Sequence, residues 1–125
     1  MAGRRRISLK VLLLVGFWLS AFIATHLPRV PRAIPRVSDK TLHFVAFAVL
    51  GGLLSWVLQG RVTGLARHAV SVLLIIAVYG AVDELLQIPV GRHCDVWDWI
   101  ADLLGATVGL GVFHLLRCVL YSTRP

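Results

Sequence analysis

The sequence predicts an all-α, polytopic membrane protein, an antiparallel bundle of four transmembrane helices, and three observations predict it. Of its 125 residues 58% are hydrophobic and 15% charged, with a mean hydropathy of +0.81, well outside the composition of a soluble domain. Four apolar segments, residues 9–27, 42–58, 69–89 and 100–120, each hold about 17 to 21 residues, enough to cross a hydrocarbon core near 30 Å. None alternates strictly between apolar and polar, and a bilayer leaves backbone groups no water to bond, so spans of this length read as helices.

The first element is flanked by rivals. "GRRRISLKVLLLVGFWLSAFIATHLP" has the basic start of a secretory signal, and its paired arginines echo a twin-arginine signal. Its apolar run is long for either, and no small-x-small cleavage site follows closely, so a retained helix is expected. The next stretch, "PRVPRAIPRVSDK", carries Pro28, Pro31 and Pro35, which deny it a regular helix and suggest an extended segment on the membrane surface. The second span follows from "SDKTLHFVAF"; Arg61 and Arg67 join it to the third, which runs into "YGAVDELLQ". The fourth opens in "GRHCDVWDWIADLLGATVG". This divides the chain into a basic cytoplasmic N-terminus (1–8), a membrane domain (9–120) and a cytoplasmic tail (121–125).

Basic residues set the expected orientation. Arg4, Arg5, Arg6, Lys10, Arg61, Arg67, Arg117 and Arg124 fall on one side, against Arg29, Arg32, Arg36, Lys40 and Arg92 on the other. The excess of eight over five favours both termini in the cytoplasm, and the plasma membrane is the expected location. Trp97 and Trp99, and less neatly Trp18 and Trp56, are candidate interfacial anchors. The net charge of +7 is scattered between apolar runs without the basic face of a groove binder, which argues against nucleic acid; headgroup contact is the better use for it.

Five of the six acidic residues lie within twenty positions: Asp83, Glu84, Asp95, Asp98 and Asp102. The sixth, Asp39, is four residues from His43, which stacks the two on one face of a helix, with Phe47 a turn deeper. Asp83 and Gln87 are four apart, Glu84 and Gln87 three, and Asp95, Asp98 and Asp102 follow one side of the fourth helix. Four antiparallel crossings bring these two distant stretches to the same side of the bilayer. An unpaired charge below the headgroups costs at least about 2.5 kcal/mol, so partners are required. Arg92, His43 and Lys40 are the available ones, Arg92 being best suited because a guanidinium grips a carboxylate in two places. A polar network that pins the helices is the plain account. The excess of carboxylates over cations points further, to a pocket for something cationic or a metal, or one that handles protons.

"DKTLHFVAFAVLG", "YGAVDELLQ" and "GRHCDVWDWIADLLGATVG" together resemble the VanZ-like family of small integral membrane proteins, named for a glycopeptide-resistance accessory protein. The resemblance covers residues 39–111. It implies that Asp39, Lys40, His43, Phe47, Asp83, Glu84, Gln87, Arg92, Asp95, Asp98, Gly105 and Gly109 are signature positions, and that relatives can lower susceptibility to teicoplanin-type antibiotics. Where the family usually has asparagine this chain has Asp102, which adds a negative charge or a protonated acid.

Three readings of the chemistry follow. As an enzyme, Asp39, His43, Glu84 and Asp98 would serve as acid and base or hold a divalent metal that polarises a phosphate, with Arg92 and Lys40 binding phosphate on a lipid-linked substrate. As a binding or modulating protein, the acidic pocket and its basic rim would hold a membrane lipid headgroup, a lipid-linked cell-wall precursor or an amphipathic antibiotic. A small carrier is the third, disfavoured because both motifs share one side. No known metal motif is present, so no cofactor is expected beyond that possible ion. Gly105 and Gly109 have the spacing that lets helices approach closely, and Gly51 and Gly52 are expected to do the same for the second helix. His26, His68, His93 and His114 read as isolated, with His93 beside Arg92 the one candidate site residue. Cys94 and Cys118 read as free thiols, since a helix of about twenty residues would hold them roughly 30 Å apart. The sequence does not fix an oligomeric state.

Overall fold

The computed structural model describes residues 8–26, 38–91 and 94–122. Four helices fill them: α1 (Leu9–His26), α2 (Asp39–Leu58), α3 (Leu65–Gln87) and α4 (Val96–Ser122), with a 3-10 turn, Ile88–Val90, after α3. All four are long and apolar enough to cross a membrane. The proline-rich stretch, the N-terminal arginines, Arg92 and His93 lie outside the described residues.

Contacts at the helix ends give the directions. Thr25 near the end of α1 reaches Asp83 near the end of α3, and His43 at the start of α2 reaches Asp102 near the start of α4. At the opposite end Lys10 of α1 donates to the Trp56 carbonyl of α2, and His68 of α3 donates to the Ser55 carbonyl. Successive helices are therefore antiparallel, and α2 and α4 run side by side in the same direction.

Helical periodicity decides what is inside. α2 buries His43, Phe47, Leu50, Gly51, Leu54 and Ser55; α3 buries His68, Val72, Ile76, Gly80, Asp83, Glu84 and Gln87; α4 buries Asp98, Asp102, Gly105, Ala106, Gly109 and Leu110. These are steps of three and four, one stripe per helix. Outside the stripes, large apolar side chains such as Leu42, Val45, Leu74, Val78, Leu104 and Leu115 are exposed, as lipid-facing residues should be. α1 contributes only Leu14 to the fully buried set and lies at the periphery.

Small residues set the closest approach. A Cβ built on Gly105 would collide with the Phe44 carbonyl oxygen, one on Gly109 with the Ala48 carbonyl oxygen, and one on Gly51 would lie 2.6 Å from the Ala106 carbonyl oxygen. The α2 and α4 backbones thus touch through glycine along two turns, where packing and weak backbone contacts drive helix association in a bilayer.

Three helices begin earlier than their apolar segments: α2 at Asp39 rather than 42, α3 at Leu65 rather than 69, α4 at Val96 rather than 100. The added turns carry Lys40, His68 and Asp98, which neighbouring helices engage. Arg67, assigned to a connecting loop, sits inside α3, its guanidinium 3.4 Å from the Thr63 hydroxyl.

Candidate functional site

The chain reverses between α3 and α4 in few residues. Pro89 cannot extend the α3 hydrogen-bond ladder, the chain tightens into the 3-10 turn, and Gly91 takes the left-handed conformation with φ 77°, which costs glycine nothing. Asp95 then starts α4: its carboxylate accepts the Trp97 amide at 2.9 Å, the bond of a helix N-cap. The short reversal keeps the acids of α3 and α4 at one end of the bundle, where α2 begins.

Three layers stand there. Outermost, the Lys40 ammonium donates to Asp95 Oδ2 at 2.8 Å and Asp98 Oδ1 at 3.1 Å. That ammonium, with the Trp97 amide, holds the Asp95 carboxyl below the ordinary carboxylate range. Deeper, His43 Nδ1 lies 2.9 Å from Asp102 Oδ1 and 4.0 Å from Glu84 Oε1, all three side chains being at most 3% exposed. The Asp95 backbone amide donates to Glu84 Oε2 at 2.9 Å. Beside this, Asp83 accepts from Gln87 Nε2 at 3.2 Å and from the Tyr79 and Thr25 hydroxyls at 3.3 Å, with His26 Nδ1 3.9 Å away. The floor is aromatic: Phe47 stacks between His43 and Tyr79, and Trp18 meets Tyr79 edge-on.

Gly80 makes room for the inner layer. A Cβ there would stand 3.0 Å from Asp102 Oδ2 and 3.1 Å from Trp99 Cδ1, while the Trp99 indole donates to the Ala77 carbonyl at 2.9 Å. α4 therefore leans its Trp99 and Asp102 onto the bare backbone of α3.

The structure brings together Lys40, His43, Asp83, Glu84, Gln87, Asp95, Asp98 and Asp102. Asp39 is half-buried in the first turn of α2 and engaged in an interaction of its own, but does not join His43, Glu84 and Asp98, whose ligand-type atoms lie within 4.8 Å of one another. Arg92 and His93 fall outside the described residues. Among the described residues Asp83 is served by neutral donors, and Lys40 goes to Asp95 and Asp98 rather than to Glu84; the expected Arg92 grip on these acids lies outside them. Thr25, His26, Tyr79 and Trp99 were missed. Only Tyr79 carried a signal, since it sits four residues before Asp83 on the same helix face.

Among the described residues, four buried atoms in this region have no hydrogen-bond partner: His43 Nε2, His26 Nε2, Glu84 Oε1 and Asp102 Oδ2. Five carboxylates here, Asp83, Glu84, Asp95, Asp98 and Asp102, face one described ammonium, that of Lys40. Among the described residues, acceptors outnumber cationic donors at this end of the bundle.

The histidines read as isolated include a pair. At the other end of the bundle His68, 5% exposed, donates Nε2–H to the Ser55 carbonyl at 3.1 Å, while its Nδ1 lies 3.2 Å from His114 Nε2. Neutral rings satisfy this chain in one direction, with His114 donating to His68. Cys94 and Cys118 are free and both exposed.

A family model described as VanZ/LLP1 matches residues 23–117. No curated protein and no solved structure matches the chain.

Proposed function

The chain belongs to the VanZ/LLP1 family, and on that premise we propose that it binds the headgroup of a membrane-anchored envelope molecule at the extracytoplasmic face. The candidates are a lipid, a lipid-linked wall precursor or an amphipathic glycopeptide antibiotic, the last suggested by the family's association with teicoplanin resistance. The observation that supports this most is the pair of buried acceptors that have no donor among the described residues, Glu84 Oε1 and Asp102 Oδ2. A buried acceptor left unmade costs about 1 to 3 kcal/mol, so a purely structural network would be expected to close on itself. A ligand rich in amine or hydroxyl donors supplies what is missing. The positive-inside count favours the extracytoplasmic face, and lipid-facing walls on every helix let such a ligand arrive from within the bilayer.

A second reading, membrane-embedded catalysis on a phosphate-containing lipid, draws on the His43 and Asp102 pair. A carboxylate 2.9 Å from Nδ1 fixes the tautomer and leaves Nε2 as a base.

Native mass spectrometry of the protein extracted in mild detergent tests the binding reading. The wild type and Arg61→Ala, at the opposite end, should retain a bound lipid or precursor, and the double variant Glu84→Gln with Asp102→Asn should lose it. A bare wild-type protein, or equal retention by all three, would dismiss it. Turnover of a phospholipid or polyprenyl phosphate, abolished by His43→Gln, would instead favour catalysis.

A further inference from the structure

We infer that His43, Glu84 and Asp98 form a binding site for a divalent first-row transition cation of the zinc or manganese class, with Asp102 as the positioning residue behind His43.

A ring nitrogen of His43, an oxygen of Glu84 and an oxygen of Asp98 come from three different helices and lie within 4.8 Å of one another. Around a tetrahedral ion at about 2.1 Å, donor atoms stand about 3.4 Å apart. The three groups therefore need to close by little more than an ångström, within reach of side-chain torsions. A buried acidic cluster alone proves nothing, but two independent features point to a ligand. Glu84, 3% exposed, holds Oε1 4.0 Å from His43 Nδ1 and gives it no hydrogen-bond partner among the described residues. His43, 2% exposed, has its Nδ1 on Asp102 at 2.9 Å and no hydrogen-bond partner at Nε2 among the described residues. An imidazole held by a carboxylate on one nitrogen and open on the other is the usual form of a metal-binding histidine.

The donor set selects the ion class. One imidazole with two carboxylates suits zinc or manganese better than calcium or magnesium, which prefer all-oxygen shells. The remaining coordination positions are open to water or to a headgroup oxygen. Lys40, 3.1 Å from Asp98 Oδ1, occupies one oxygen of that carboxylate, and a carboxylate has a second.

The inference rests on reading this cluster as a binding site, and its experiment separates the two. Full-length protein with its affinity tag removed, in lipid-free detergent and stripped with EDTA, is titrated with Zn²⁺ by calorimetry and with Co²⁺ by visible absorption. The wild type should take up one equivalent, with a Co²⁺ d–d spectrum of nitrogen and oxygen ligation. Glu84→Gln and Asp98→Asn should each lose affinity by at least 10-fold. Asp102→Asn should lose roughly 10- to 100-fold, the usual effect of an outer partner, and His114→Ala should match the wild type. No stoichiometric uptake of Zn²⁺, Co²⁺ or Mn²⁺ by the wild type overturns the site whatever the variants do. So does uptake that survives all three site substitutions or that vanishes in His114→Ala. Lipid retained by a protein that takes up no metal overturns the ion alone; metal taken up by a protein that never retains lipid supports the ion and counts against the headgroup reading.

Discussion

At the scale of single residues, the informative contrast lies between removing a partner and changing its charge. His43→Ala leaves Asp102 buried beside Glu84 without a counter-group, and breaking a buried pair from one side costs about 3 to 5 kcal/mol. Asp102→Asn is different, because an amide oxygen can still accept from His43 Nδ1 and the amide nitrogen faces a position that now has no partner. Its stability should change by about 1 kcal/mol, and thermal unfolding in nanodiscs would show whether the two variants separate in this order. Lys40 supplies a prediction with a sign. The Asp95 carboxyl, held low by Lys40, contributes stability that is fully present above its unfolded value of 3.8 and is lost as pH falls through the lower folded value. The difference in melting temperature between wild type and Lys40→Met should therefore stay flat from pH 8 to pH 5 and shrink only below about pH 4. A difference that fades near pH 6 would mean that another group carries the effect.

Among the elements, α2 and α4 depend on glycine at their contact. Alanine at Gly105 or Gly109 drives a methyl group into the Phe44 or Ala48 carbonyl, atoms of a rigid helix backbone. Each substitution should destabilise the bundle by about 1 to 3 kcal/mol or more, the cost of overpacking. Gly111→Ala is the control, since nothing lies within 4 Å of its added carbon, and it should be neutral or gain up to about 1 kcal/mol from helix propensity. Denaturation in mixed micelles that ranked Gly111→Ala with the other two would mean that the helices are not in contact here. The same elements show why some of the site was readable. Asp83 with Gln87, and Asp98 with Asp102, lie a helical step apart, so period alone put them on one face, and antiparallel topology alone put His43 at their end. Thr25 and His26 escaped because α1 reaches Asp83 only through its rotation about its own axis, which its nearly uniform apolar sequence leaves unspecified. His68 and His114, 46 residues apart, meet where α3 and α4 pack together, and spacing along the chain carries no trace of that. The partners of Gly105 and Gly109 are backbone atoms, which no side-chain pattern announces.

For the whole molecule, the orientation decides whether the site meets the cell envelope or the cytoplasm, and the chain carries its own reporter. Cys94 is free and exposed immediately before α4, at the end where Lys40, Asp95 and Asp98 gather. Ser122, exposed at the last residue of α4, marks the opposite end. A helix of 27 residues at about 1.5 Å rise each is about 40 Å long, more than the hydrocarbon core, so the two positions must emerge on different sides. The basic residues favour Cys94 outside, by eight to five. In a Cys118→Ser background, a membrane-impermeant maleimide should label Cys94 in intact cells. With Cys94→Ser, Cys118→Ser and Ser122→Cys combined, labelling should require permeabilised cells. The reverse pattern would turn the acidic site toward the cytoplasm, where a wall precursor still being built or an inner-leaflet lipid becomes the ligand to seek and an external antibiotic no longer fits. Labelling of both positions in intact cells would break the four-crossing topology, because α4 would no longer separate two compartments.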